Sequence, residues 1–156
     1  MFPDDSIEAE INDLNKLFKL VRQYNLLLGQ PSYTTNSFFE FNTTISTYSF
    51  LKYVKIVDPF CPVFQKEALK CCLEFFKISR SGCGIGALWA KLLGYPKDKI
   101  GVFDSIKVFH NKPTEYEMLE RMGIKPEDEL TLMLNKYNIV NYNMDVFATL
   151  SDDIKN

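Results

Sequence analysis

The residues best suited to chemistry lie between Arg80 and Gly94. Gly82, Gly84 and Gly86 alternate, and the apolar run after them, with the only tryptophan, Trp89, reads as a helix. A glycine-rich backbone opening a helix can approach a phosphate or nucleotide closely and offer it unpaired N–H groups. The same spacing also serves a tight connection between packed elements. Cys83 lies between two of these glycines, beside the expected helix N-terminus and near Arg80, and both neighbours lower a thiol pKa. A nucleophilic cysteine needs a base, and His110 is the only histidine. Nothing in the spacing brings the two together. Cys83 therefore reads as a small core residue and His110 as a strand-end residue.

An apolar segment, residues 72–78, leads into the glycines, and a second, residues 100–103, follows and ends on Asp104. Gly82-Cys83-Gly84-Ile85-Gly86-Ala87-Leu88 with Gly101-Val102-Phe103-Asp104-Ser105 resembles the first two motifs of Rossmann-type S-adenosylmethionine-dependent methyltransferases. The resemblance implies S-adenosylmethionine as cofactor, approached by Gly82, Gly84 and Gly86, with Asp104 on its ribose hydroxyls. Met144-Asp145-Val146-Phe147 is similar to the start of that family's fourth strand, which implies a place for Asp145 near the substrate edge. The looser dinucleotide pattern, Gly82-x-Gly84-x-x-Ala87 with an acid about 20 residues on, is satisfied too. Two features depart from the family. Arg80 stands where it carries an acid, and the chain runs only a dozen residues past Met144. The resemblance covers about residues 72–105, and it requires residues 72–78 and 100–103 to be adjacent parallel strands. Residues 105–137 resemble, more distantly, the strand-helix-helix of ribbon-helix-helix DNA-binding antitoxins, whose paired strand carries polar or basic residues. Here Lys107 alone fits.

At 156 residues, 46% hydrophobic and 24% charged, the chain reads as one soluble globular domain. A net charge of −2 argues against a strong grip on nucleic acid, which depends on neutralising phosphates. Aromatics at 14% favour a well-filled core or a surface that holds a partner. The acidic start lacks the basic and apolar regions of a signal peptide, and no apolar run approaches the ~18–20 residues that cross a bilayer. Cys61, Cys71, Cys72 and Cys83 have no paired metal-ligand spacing, so no metal site is expected and the reading is cytoplasmic with reduced thiols. Asn42-Thr43-Thr44 matches a glycosylation acceptor, which matters only in a secretory compartment. Glu115, Glu117, Glu120, Glu127, Asp128 and Glu129 read as solvated helix faces.

Residues 5–29 carry the clearest helical pattern. Asp5 with Glu8 fits a capping box, and Gly29 with Pro31 supplies a stop. Two adjoining apolar stripes run along it, Ile7-Ile11-Leu14-Phe18-Val21 and Leu17-Leu20-Tyr24-Leu27. One is expected in the core, and Leu20, Tyr24 and Leu27 on the other are expected to meet a partner or a second copy of the chain. Residues 37–57 fit strands or a helix, and strands are favoured. Helix is expected over 63–76, one strand or two over 101–110, and a short helix over 114–122. Pro126 starts another helix, with a strand over 128–134 as the alternative. Residues 151–156 read as a frayed tail. The expected fold is a helix-rich α+β domain, with an all-α bundle or a truncated Rossmann-like α/β domain as alternatives. The expected function is binding of another protein, of the inhibitor, immunity or adaptor kind, without a cofactor. The alternative is the methyltransferase-like protein described above.

Overall fold

A computed structural model describes residues 1–111, 119 and 121–151. In chain order the elements are β1 (Ile7–Glu8), α1 (Ile11–Gln23), β2 (Leu28–Tyr33), β3 (Leu51–Val54) and β4 (Val63–Phe64). Then come α2 (Lys66–Cys72), α3 (Ile85–Leu92), β5 (Ile100–His110), α4 (Pro126–Lys136) and β6 (Val146–Leu150). Short 3-10 turns cover Asn42–Thr44 and Leu73–Ile78. The strands form one six-stranded mixed sheet in the order β4-β2-β5-β3-β6, with β1 beside the far end of β5.

β5 is the spine of this sheet. It runs parallel to β2, and antiparallel to β3 at one end and to β1 at the other. Its near-continuous apolar sequence is that of a strand covered on both faces. Successive residues serve opposite cores. Ile100 and Val102 join α3 and its Trp89, while Phe103 and Ile106 join Leu17, Leu20 and Val21 of α1. The β2–β5 register shifts between Pro31 and Ser32. Proline offers no N–H to a ladder, so a break in pairing is where it fits within a sheet.

This sheet overturns the helix-rich reading together with the all-α bundle. The architecture is α+β and organised by strands. A Rossmann-like sheet is not what forms either, since β2–β5 is the one parallel pair among the named strands. The N-terminal helix is also shorter than expected over 5–29. Asp4, not Asp5, makes the local turn, accepting from the Ser6 N–H and hydroxyl, and Ile7 is drawn into pairing opposite His110. At the other end Asn25 turns left-handed (φ 50°) and the Leu26 N–H donates to the Val21 carbonyl at 3.0 Å, closing the helix four residues before Gly29. Gly29 and Pro31, expected as a stop, lie inside β2.

Residues 72–78 finish α2 and continue as a 3-10 turn, so the strand required before the glycines is absent. Residues 63–64 are strand, not helix, and within 37–57 the strand is confined to Leu51–Val54. Residues 101–110 lie in one strand, enclosed by β2, β3 and β1, so residues 106–109 are not free to form a DNA-binding ribbon. Pro126 opens α4 as expected, and the strand alternative there does not form. Most of the helix expected over 114–122, with Glu115, Glu117 and Glu120, lies outside the described residues, as do residues 152–156.

A β-carbon at Gly86 would overlap the carbonyl oxygen of Val57, well inside van der Waals contact. Gly94, left-handed with φ 81°, faces open space. Gly86→Ala should therefore cost about 3 kcal/mol or more by overpacking against backbone, despite alanine's helix advantage of about 1 kcal/mol. Gly94→Ala should cost about 1–2 kcal/mol, from conformation alone. Urea unfolding of the two variants checks the ranking.

Candidate functional site

The glycine stretch is a joint between layers. Gly82 and Gly84 are left-handed, with φ 77° and 80°, and Gly84 caps α3 without a side-chain bond. Its backbone lies against Leu130 and Met133 of α4, while Gly86 lies against Val57. The amides just before the glycines already hold an anion. Glu129 of α4 accepts from the Ser81 N–H at 2.8 Å, the Arg80 N–H at 3.2 Å and the Ser79 hydroxyl at 3.3 Å. Burial works against this carboxylate's charge, but those bonds outweigh it and hold its pKa below the ordinary value. Glu129, expected as a solvated acid, is thus a structural anchor.

Asp104 belongs to a different neighbourhood. Its carboxylate is buried, pairs with the Lys52 ammonium at 3.0 Å and accepts from the Thr47 and Ser49 hydroxyls. Lys52 also donates to the Thr43 and Ile45 carbonyls, 3.0 Å each, so the pair fastens the 42–50 loop to the sheet. No contact joins Asp104 to Gly82, Gly84 or Gly86 among the described residues, and the acid lacks a free face for ribose hydroxyls. Asp145 pairs at the surface with Lys55, 3.7 Å away. The Cys83 thiol is half-buried, and burial raises its pKa, with Glu40, Glu127 and Glu129 adding to the rise. That is the opposite of an activated nucleophile. His110, fully buried, lies among the rings of Tyr33, Phe38 and Phe60.

On α1 the two stripes are exchanged relative to expectation. Leu17 and Leu20 are 0% and 4% exposed, and Tyr24 leans on Phe50 and Phe103 with ring centroids 5.5 and 5.9 Å away. Leu27 is half-buried, and its N–H bonds the Lys99 carbonyl at 2.8 Å. Leu20, Tyr24 and Leu27 therefore serve the fold. The outward stripe is Ile11-Leu14-Phe18, with Ile11 71% and Phe18 42% exposed. Phe18 also borders a groove formed with Val21, Leu26, Val63 and Phe64, rimmed by Arg22 and Lys66.

Two features lie beyond the sequence reading. One is a cleft of about 360 Å³ beneath the glycine stretch, walled by Phe2, Phe60, Phe76 and Trp89 and bearing Asp4 and Arg80. The other is a buried polar knot behind Phe60. Asp58 there accepts from the Phe60 N–H, and its own N–H donates to Gln30 at 2.6 Å. Its carboxylate also meets the buried Tyr33 hydroxyl, and the buried His110 ring stands beside Tyr33 and Phe60. The only signal for either was the break at Asp58-Pro59-Phe60. It marks a turn and says nothing of what the turn encloses.

Burial, helped by the charges of Glu40 and Asp4, raises the Asp58 pKa to about 7 against the hydrogen bonds that oppose it. Between the ordinary carboxylate pKa of 3.8 and about 7, native Asp58 keeps a proton that the unfolded chain has released. The stability this group contributes is thus complete at low pH, falls as pH rises through that window, and is flat above it. Burial lowers the His110 pKa, and His110 tilts stability the other way below its ordinary 6.5. The comparison must therefore be with Asp58→Asn. That variant should be the more stable at pH 8, by an amount that vanishes near pH 4, read from urea unfolding across the range.

Comparison with protein-family models, curated proteins and solved structures finds no match to this chain.

Proposed function

We propose that this chain is a protein-binding domain, of the inhibitor, immunity or adaptor kind, which meets its partner through the outward face of α1. The observation that carries the reading is the stripe Ile11-Leu14-Phe18. Two large apolar side chains two helical turns apart stand 71% and 42% exposed, although the same helix buries Leu17, Leu20 and Val21. Contiguous exposed apolar surface of this kind, rimmed by polar groups, is typical of interfaces. The groove beside Phe18 gives a partner's anchor somewhere to enter. Lys19, Arg22 and Lys66 give the surface a basic rim, so the fitting partner is an apolar segment flanked by acidic residues.

No described helix is long and apolar enough to cross a membrane. Four free thiols, two of them buried, fit the reducing setting of the cytoplasm.

Ile11→Asp and Phe18→Asp should leave the melting temperature nearly unchanged, because both sites are solvated. Leu20→Asp should unfold the chain by burying an unpaired charge. A photo-crosslinking residue at position 18 in the native host should capture a discrete adduct that Ile11→Asp removes. The same probe at Tyr48, which is fully exposed, should not capture it. Equal capture from both positions would defeat the proposal.

A further inference from the structure

The cleft beneath the glycine stretch carries three polar side chains with unused capacity. One Asp4 carboxylate oxygen takes the Ser6 N–H and hydroxyl, and the other has no partner among the described residues. The Arg80 guanidinium makes no ion pair or hydrogen bond there, although the Arg80 backbone N–H is held by Glu129. The Trp89 indole N–H is buried with no acceptor, in a residue 1% exposed. All three residues line one cleft of about 360 Å³ whose wall also includes Phe2, Phe60 and Phe76. Buried donors without acceptors are rare in folded proteins and point to a group not yet in place.

The signs of these groups select the occupant. A carboxylate asks for an ammonium, a guanidinium for a carboxylate, and an indole N–H for an oxygen, while Phe2, Phe60 and Phe76 ask for an apolar body. We propose that this cleft binds a free amino acid with an apolar side chain, its ammonium on Asp4, its carboxylate towards Arg80 and Trp89, and its side chain against the aromatic wall. The volume lies within the range of small-molecule sites, which pair a mostly apolar lining with a few placed polar groups. A monovalent ion of either sign would satisfy one wall and leave the opposite charge unpaired. The α1 surface takes no part.

Calorimetric titration of the full chain with L-phenylalanine, 2-phenylethylamine and 3-phenylpropionate tests the assignment. L-Phenylalanine should bind, and each truncated analogue at least tenfold more weakly. Asp4→Asn should weaken L-phenylalanine at least tenfold while leaving 3-phenylpropionate unchanged. Arg80→Gln should do the same while leaving 2-phenylethylamine unchanged. Both positions are off the hydrophobic core, and a melt of each variant verifies folding. Equal binding of all three compounds would mean mere apolar adhesion and overturn the proposal. So would the absence of heat with L-phenylalanine at millimolar concentration, or loss of all three compounds alike in either variant.

Discussion

α3 is seated where the carbonyl of Val57, in the loop after β3, meets its first turn. Only a residue without a β-carbon fits there, and it is Gly86. That contact seats α3 so that Trp89 reaches Phe64 and Phe76, with ring centroids 5.0 Å away in each case. The two left-handed glycines before it then turn the chain back from the α2 layer, and α4 closes over the turn through Glu129. One carbonyl thus fixes a helix, the helix fixes the aromatic wall of the cleft, and an internal carboxylate locks the loop above it.

Two buried carboxylates at opposite places in the fold show how partners decide the role of a charge. Asp104 has a cation and two hydroxyls, and it works as a fastener for the 42–50 loop. Asp58 has no cation among the described residues, only the Phe60 N–H and the Tyr33 hydroxyl. A buried charge lacking a partner is expensive, which is why Asp58 holds its proton to about pH 7. Carboxyls with so perturbed a pKa tend to lie near functional sites, and this one lies directly behind the cleft wall at Phe60.

What the residues revealed depended on whether the signal was local. Pro126 with its following acids marks the start of α4, and the β-branched and aromatic run after Ile100 marks β5. Both signals are contained in a few neighbours. The left-handed Asn25 that ends α1 carries no such local mark, because its role depends on conformation. β2 was hidden by Gly29 and Pro31, which are punctuation in isolation, while in the sheet Gly29 pairs in register and the break falls just after Pro31. The direction in which α1 faces was not legible either. Two apolar stripes of similar strength leave the choice to the sheet, which accepts Leu17 and Leu20 and leaves Phe18 out. The glycine alternation left a ligand's phosphate and a tight connection between packed elements both open, because its demands come from Val57, Leu130, Met133 and Glu129, all remote in sequence.

The glycine stretch is an internal joint whose neighbouring amides are held by the chain's own carboxylate. Site-resolved amide hydrogen exchange on the native protein and on Glu129→Ala tests it most directly. Selective loss of protection at Arg80 and Ser81, with β5 unchanged, is the predicted result. Unchanged protection at those two amides in the variant would contradict the account, because it would mean that something other than Glu129 holds the loop.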